Sequence, residues 1–173
     1  DMTVTAAYPD LVAYRAEFPI FEQKAYLNSC SLGPLSRRSR AAVTEFLDLW
    51  DGLGAAAWYE IWWGAIKDLR ERFARIIGAG GHEVALAASV SAALTAVASS
   101  LDYRARNRIV VADLDFPTVA YQWLAKRGEG VEVVFARSDD RIGVPLERFE
   151  SLIDERTALV ATSRVFFTTG YIQ

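Results

Sequence analysis

Ser89-Val90-Ser91 lies between a short uncharged apolar run, Val84 to Ala88, and an Ala-rich stretch that continues through Ala96-Val97-Ala98. A strand that turns directly into a helix leaves backbone N–H groups free at the turn. With the helix dipole and two hydroxyls, they make an anion site. The segment reads as a phosphate cradle built by Ser89, Val90 and Ser91. A serine ahead of an Ala-rich helix also serves as a plain N-cap that binds nothing, and the residues alone leave both readings open. Asp113-Leu114-Asp115-Phe116-Pro117-Thr118 is a second chemically equipped segment. Phe116, flat and held by Pro117, suits either stacking on an aromatic ring or plugging the end of a sheet. Asp113 and Asp115 read as an acid pair or as charges that favour the start of a helix. Ser163 to Gly170 is a third segment. The loop Ser29-Cys30-Ser31-Leu32-Gly33-Pro34, after Asn28, is a fourth; its small residues fit close approach to a ligand or a simple turn.

The elements that must place these segments change character along the chain. Asp10 to Phe18 reads as a short helix ended at Phe18-Pro19, and Ala25 to Asn28 as a short extended piece. Ser36 to Trp50 has Val43, Phe46, Leu47 and Trp50 at helical spacing, with Arg37, Arg38 and Arg40 facing elsewhere. Asp51 to Gly54 breaks it. Ala55 to Ile77 reads as a second long helix with a stripe of Ile61, Ala65, Leu69 and Phe73. The crowd of Trp58, Tyr59, Trp62 and Trp63 on its first half suits an interface or core anchor better than a cofactor box. Gly78 to Gly81 ends that helix. Beyond it, apolar runs alternate with helical patterns. The strands are Arg108 to Ala112, Val131 to Phe135 and Ala158 to Thr162, and the helices run from about Thr118 to Arg127 and Leu146 to Ile153. Continuous apolar strands separated by helices predict an α/β, mostly parallel sheet with helices on both faces. In such sheets ligands sit beyond the carboxyl ends of the strands, where the first three segments fall. The division expected is 1–82, a helical segment and loop, and 83–173, a cofactor-binding α/β part.

The totals exclude several classes. A net charge of −3 gives no general affinity for nucleic acid or an anionic membrane. One cysteine, Cys30, excludes an internal disulfide framework and a multi-cysteine zinc site, and one histidine, His82, argues against a histidine-based metal centre. Val84 to Leu101 carries no charge, but its five Ser and Thr residues and marginal length argue against a membrane span. Asp1 ahead of Met2 reads as an expression leftover. No basic stretch followed by an apolar core marks a secretion signal, so a cytoplasmic protein is expected.

The order of Tyr26-Leu27-Asn28 with a Gly33-Pro34 turn, two helices, Ser89-Val90-Ser91, Asp115-Phe116-Pro117-Thr118 and Thr168-Thr169-Gly170 resembles the class V aminotransferases. These are fold-type-I enzymes that use pyridoxal phosphate, among them kynureninases, cysteine desulfurases and isopenicillin-epimerase-like proteins. The Phe-Pro-Thr and Thr-Thr-Gly details look closest to the kynureninase-like and epimerase-like branches. The resemblance covers nearly the whole chain but only the first half of a family member. It implies that Val90 and Ser91 bind the cofactor phosphate, with Ser89 adjacent, and that Phe116 stacks on the pyridine ring, where desulfurases commonly place a His. It implies that the loop from Asn28 and Ser29 to Gly33 approaches the substrate. The position at which desulfurases hold an Asn falls on or near Phe167, which argues against desulfurase activity, and Cys30 is not at the desulfurase cysteine.

The resemblance also implies a missing half. The Schiff-base lysine and the Asp that pairs with the pyridine nitrogen come later than Gln173, so this chain supplies no catalytic residue of its own. Of its other lysines besides Lys24, Lys67 and Lys126 read as members of solvated helix faces. The family's sheet is ordered 3-2-4-5-6-7-1, and this chain would supply strands 1 to 4, with strand 1 at Val84 to Ala88 cut off by three absent strands. A second polypeptide, making a heterodimer or higher oligomer, or a longer form of this chain is expected to supply the rest. The expected reaction acts on a small amino acid, with transamination, lyase and epimerase outcomes open. The alternatives are a partner subunit that keeps the fold without the chemistry and, more distantly, a nucleotide-binding α/β module, for which no Gly-rich fingerprint is present.

Overall fold

A computed structural model describes residues 9–173. Residues 1–8, and the Asp1-Met2 reading with them, lie outside the described part. The chain divides into two compact units, one ending at Ala85 and the next beginning at Leu86.

The first unit is helical. α1 (Pro9–Ala13) continues into a 3₁₀ turn, Tyr14–Glu17, and Phe18 is extended ahead of Pro19, as the proline requires. A further single turn, α2 (Ile20–Gln23), was not expected. α3 (Arg37–Leu53) starts at Ser36, whose side chain accepts the N–H of Ser39 at 2.9 Å. The helix runs three residues past Trp50, through Gly52, and ends at Gly54 with φ of 53°. Gly inside an exposed helix costs only about 1 kcal/mol, whereas the positive φ at Gly54 is a true exit from helical geometry. Arg37 donates to the carbonyl of Ala16 and to Glu22, and Arg38 pairs with Glu17, so the polar face of α3 holds the preceding turns.

The second long helix has one irregularity. Trp58–Trp62 forms a π turn that leads directly into α4 (Trp63–Ile77), which ends at Gly78 in the left-handed region. The π turn brings Trp62 to stack on Phe46 of α3, with ring centroids 4.8 Å apart at 24°. Trp58 meets Trp62 edge-on at 5.0 Å. The tryptophan crowd is therefore the anchor between the two helices, with Ala57 fully buried beneath it. The outer apolar stripe, including Leu47, Trp50, Leu69 and Ile76, stays exposed.

The second unit is a parallel sheet with helices on both faces. Its elements are α5 (Val90–Ser100), β1 (Arg108–Ala112), α6 (Pro117–Leu124), β2 (Glu132–Ala136), α7 (Leu146–Glu150) and β3 (Thr157–Ala161). The strand order is β2-β1-β3, all parallel. Period-two alternation along β1 splits the core. Ile109 and Val111 pack with Ala98 of α5 and with Val119 and Trp123 of α6, while Val110 and Ala112 pack with Val144, Phe149 and Phe166 on the other face. At the amino ends of the strands, Arg108 bonds Glu132 at 3.3 Å and Asp154 at 2.6 Å.

Two expectations need correction. Val84 to Ala88 forms no strand: the backbone at Val84 is extended, but the segment has no ladder partner among the described residues. A strand exists only through its neighbours' hydrogen bonds, and the strands expected beside this one are not in the chain. Lys126 is not on a solvated face. Its side chain is 17% exposed, pairs with Glu129 at 3.1 Å and lies over the Tyr103 ring. Among the described residues, no helix is long and apolar enough to cross a membrane, and no three His, Cys, Asp or Glu side chains gather as a metal site.

Candidate functional site

The carboxyl ends of β1 and β3 and the amino ends of α5 and α6 converge in the second unit. Ser89 is the N-cap of α5 and accepts the N–H of Ala92 at 3.1 Å. That bond uses its oxygen as an acceptor and leaves its hydroxyl proton to donate. Val90 and Ser91 are the first two residues of the helix, so their N–H groups have no acceptor within it. Val90 is 73% exposed.

The Ser91 hydroxyl lies 3.4 Å from that of Thr118, the second residue of α6. Pro117, at the first position of α6, has no N–H to satisfy. The next free donor of that helix is therefore the Thr118 N–H. Two helix starts thus present hydroxyls and N–H groups to one place, a donor set suited to an oxyanion such as phosphate.

Phe116 is the N-cap of α6 and is 52% exposed. It does not plug the sheet; that role belongs to Phe166, which is buried among Val110 and Ala136. The Phe116 ring meets the edge of Phe167, with centroids 5.1 Å apart at 73°. The Thr168-Thr169-Gly170 turn follows. Gly170 has φ of 71°, a bridge pairs Val165 with Ile172, and Thr169 donates to the carbonyl of Ile142 at 2.9 Å.

Asp113 and Asp115 are not a pair of acids facing each other. Asp113 accepts the N–H of Ser138 at 3.0 Å, just past β2. Asp115 accepts the N–H of Ser163 at 2.8 Å, just past β3, and also the Ser163 hydroxyl. The two carboxylates tie the end of β1 to both neighbouring strands. The contacts of Thr118 and Ser163 leave no local signal in the sequence, because each depends on a partner 27 or 48 positions away.

Asn28 and Ser29 lie in the first unit. The Asn28 carbonyl accepts the N–H groups of Ser31 and Leu32, and its side-chain oxygen lies 3.5 Å from the Cys30 sulfur. The segment is a tight exposed turn.

The aminotransferase class-V family profile matches residues 40–173. The chain belongs to that family. It is 35% identical over 165 residues to the uncharacterized aminotransferase YcbU of Bacillus subtilis, covering 92% of this chain and 42% of that protein. It is 28% identical over 177 residues to a kynureninase of Shouchella clausii, covering 96% of this chain and 41% of that protein. A solved structure of a C-DES mutant with glycine covalently linked to its PLP cofactor superposes with a TM-score of 0.83 at 21% identity, covering 91% of this chain and 42% of that one. This class V chain therefore spans about two fifths of the length of the relatives it matches. Its β2-β1-β3 order fits the 3-2-4 portion of the sheet expected for the family.

Proposed function

We propose that this chain is the amino-terminal part of a pyridoxal-phosphate-dependent, class V aminotransferase-like enzyme acting on a small amino acid. The observation that carries the reading is the meeting of the α5 and α6 amino ends at Ser91 and Thr118, with the exposed Phe116 ring two residues away. A cofactor with a phosphate at one end and a flat ring at the other matches that set. The free N–H groups of Val90 and Ser91 and the hydroxyls of Ser89 and Ser91 would hold the phosphate, and Phe116 would cover one face of the ring. When bound, pyridoxal phosphate supplies an electrophilic aldehyde and an electron-withdrawing ring for chemistry at the amino acid's α-carbon. The residues of this chain bind and orient; none moves a proton at the reacting atoms. The Asn28–Ser29 turn contributes to the substrate side.

The lysine that carries the aldehyde comes from elsewhere in the assembled protein, from a second polypeptide or from a longer form of this chain. Lys67 pairs with Glu71 on α4, and Lys126 is held at the far end of α6 from the site. Two surfaces support the need for more protein. β3 pairs only with β1 among the described residues, so its other edge stands open to another strand. The outer apolar stripe of α3 and α4 is likewise uncovered. Transamination, elimination and epimerisation all remain outcomes of this chemistry, and a cytoplasmic setting belongs to the same proposal.

Denaturing mass spectrometry of the intact protein, with borohydride reduction and peptide mapping, tests the reading. A second chain of similar size beside the 19.2 kDa one, or a single species about twice that mass, is expected, with the reduced cofactor on a lysine outside this sequence. Reduced cofactor on Lys24, Lys67 or Lys126 overturns the division of labour. A tight partner with no cofactor at all makes this the non-catalytic partner.

A further inference from the structure

The carboxylate of Asp115 occupies a singular position. Its Oδ2 accepts the Ser163 N–H at 2.8 Å, and its Oδ1 accepts the Ser163 hydroxyl and the N–H of Phe116 itself at 3.3 Å. It is half-buried and makes no ion pair among the described residues. Two strand ends are thereby joined at the residue just before Phe116. Four residues past Ser163, Phe167 meets the Phe116 ring edge-on. The Phe116 side chain is half exposed, so much of its surface is free to meet a ligand. A free phenyl ring loses rotamer entropy on binding a flat ligand, and fixing it beforehand removes that cost.

We propose that Asp115 is a positioning residue. By gripping Ser163 it sets the Phe116 backbone and the Phe116–Phe167 pair, so that Phe116 presents a fixed face to the aromatic ring of the ligand. The proposal rests on the reading of Phe116 as a ring platform.

A carboxylate accepts all three donors, whereas a carboxamide must turn an NH₂ toward one of them. Asp115→Asn thus keeps the shape and breaks the grip. The probes are 4′-deoxypyridoxine 5′-phosphate, which has the ring and phosphate but no aldehyde to react with lysine, and inorganic phosphate, which reports the cradle alone. Affinities are measured by calorimetry on the intact protein. Asp115→Asn is expected to weaken deoxypyridoxine phosphate about tenfold, the scale of one charge-assisted hydrogen bond, and to leave inorganic phosphate within about twofold. In a Phe116→Leu background the same substitution has no further effect. Asp113→Asn, which loosens the other strand junction, leaves both affinities as they were.

Equal losses for both probes, an effect that persists without the Phe116 ring, or the same loss from Asp113→Asn each overturn the proposal. Wild-type protein that holds deoxypyridoxine phosphate no tighter than phosphate overturns instead the platform reading beneath it. Ser163→Ala removes one donor from the carboxylate and gives the same pattern at smaller size. It carries the test if Asp115→Asn does not fold.

Discussion

Ser91 and Thr118 face each other with hydroxyls 3.4 Å apart, and one turn further on Thr95 donates to Gln122 at 3.0 Å. Both contacts span 27 positions. A constant offset over one helical turn means that α5 and α6 run parallel with their amino ends level. Their dipoles add at one point rather than cancelling.

Replacing Ser91 tests that convergence. Ser91→Ala removes a hydroxyl donor but keeps the N–H, so phosphate affinity should fall by about tenfold or more, the worth of one hydrogen bond to a charged acceptor. Phosphate titration of the intact protein reads it. Unchanged affinity returns the serine to a plain first-turn residue.

Ser89 serves the helix first. Its side chain is the cap acceptor for Ala92. Ser89→Ala should cost about 1 kcal/mol of stability and Ser89→Gly only a few tenths. Chemical denaturation of the two variants side by side checks the ratio.

Trp123 is fully buried at the centre of the α6 side of the sheet, and its indole Nε1 has no hydrogen-bond partner. The N–H therefore adds nothing that a substitution can lose. Trp123→Phe loses only part of the buried ring system and should cost clearly less than Trp123→Ala, which opens a larger cavity and should cost about 3–5 kcal/mol. A Phe variant as damaging as the Ala variant means that the indole N–H contributes more than its unpartnered state allows.

The amino ends of the strands carry a pH-dependent clasp. Burial pushes the Asp154 carboxyl up, but the Arg156 N–H, the charges of Arg108 and Arg156 and the Thr157 hydroxyl together outweigh it and hold its pKa below the ordinary 3.8. The folded state thus favours the carboxylate. Its stabilising contribution is complete above the ordinary value and disappears as pH falls through the lower folded value. Asp154→Asn should reduce stability at neutral pH and flatten the acid limb of the melting-temperature profile. An acid limb identical to wild type assigns acid sensitivity to other groups.

Much of the second unit is legible in the residues. β1 matches its expected span residue for residue, and β2 and β3 are each shifted by one. The reason is local: short apolar runs rich in Val, Ile and Ala, bounded by turn residues, have few alternatives. The Gly78 stop and the helix start at Ser36 follow from the same kind of short-range chemistry. The Ser89, Val90 and Ser91 cluster was visible as a helix start for this reason too.

What the sequence alone determined is most of the elements of the second unit, the parallel sense of its strands and the motifs that lie at their carboxyl ends, because periodicity and capping act within a few residues. Only the tertiary structure decided which partners those residues take. It leaves Val84 to Ala88 without a strand, because a ladder needs neighbours that the segment lacks. It turns Asp113 and Asp115 outward to two different strands, lays the half-buried Lys126 over the Tyr103 ring, and sets Thr118 against Ser91. Apart from that missing ladder, each of these is a contact between residues more than twenty positions apart, and such contacts are fixed only when the chain packs.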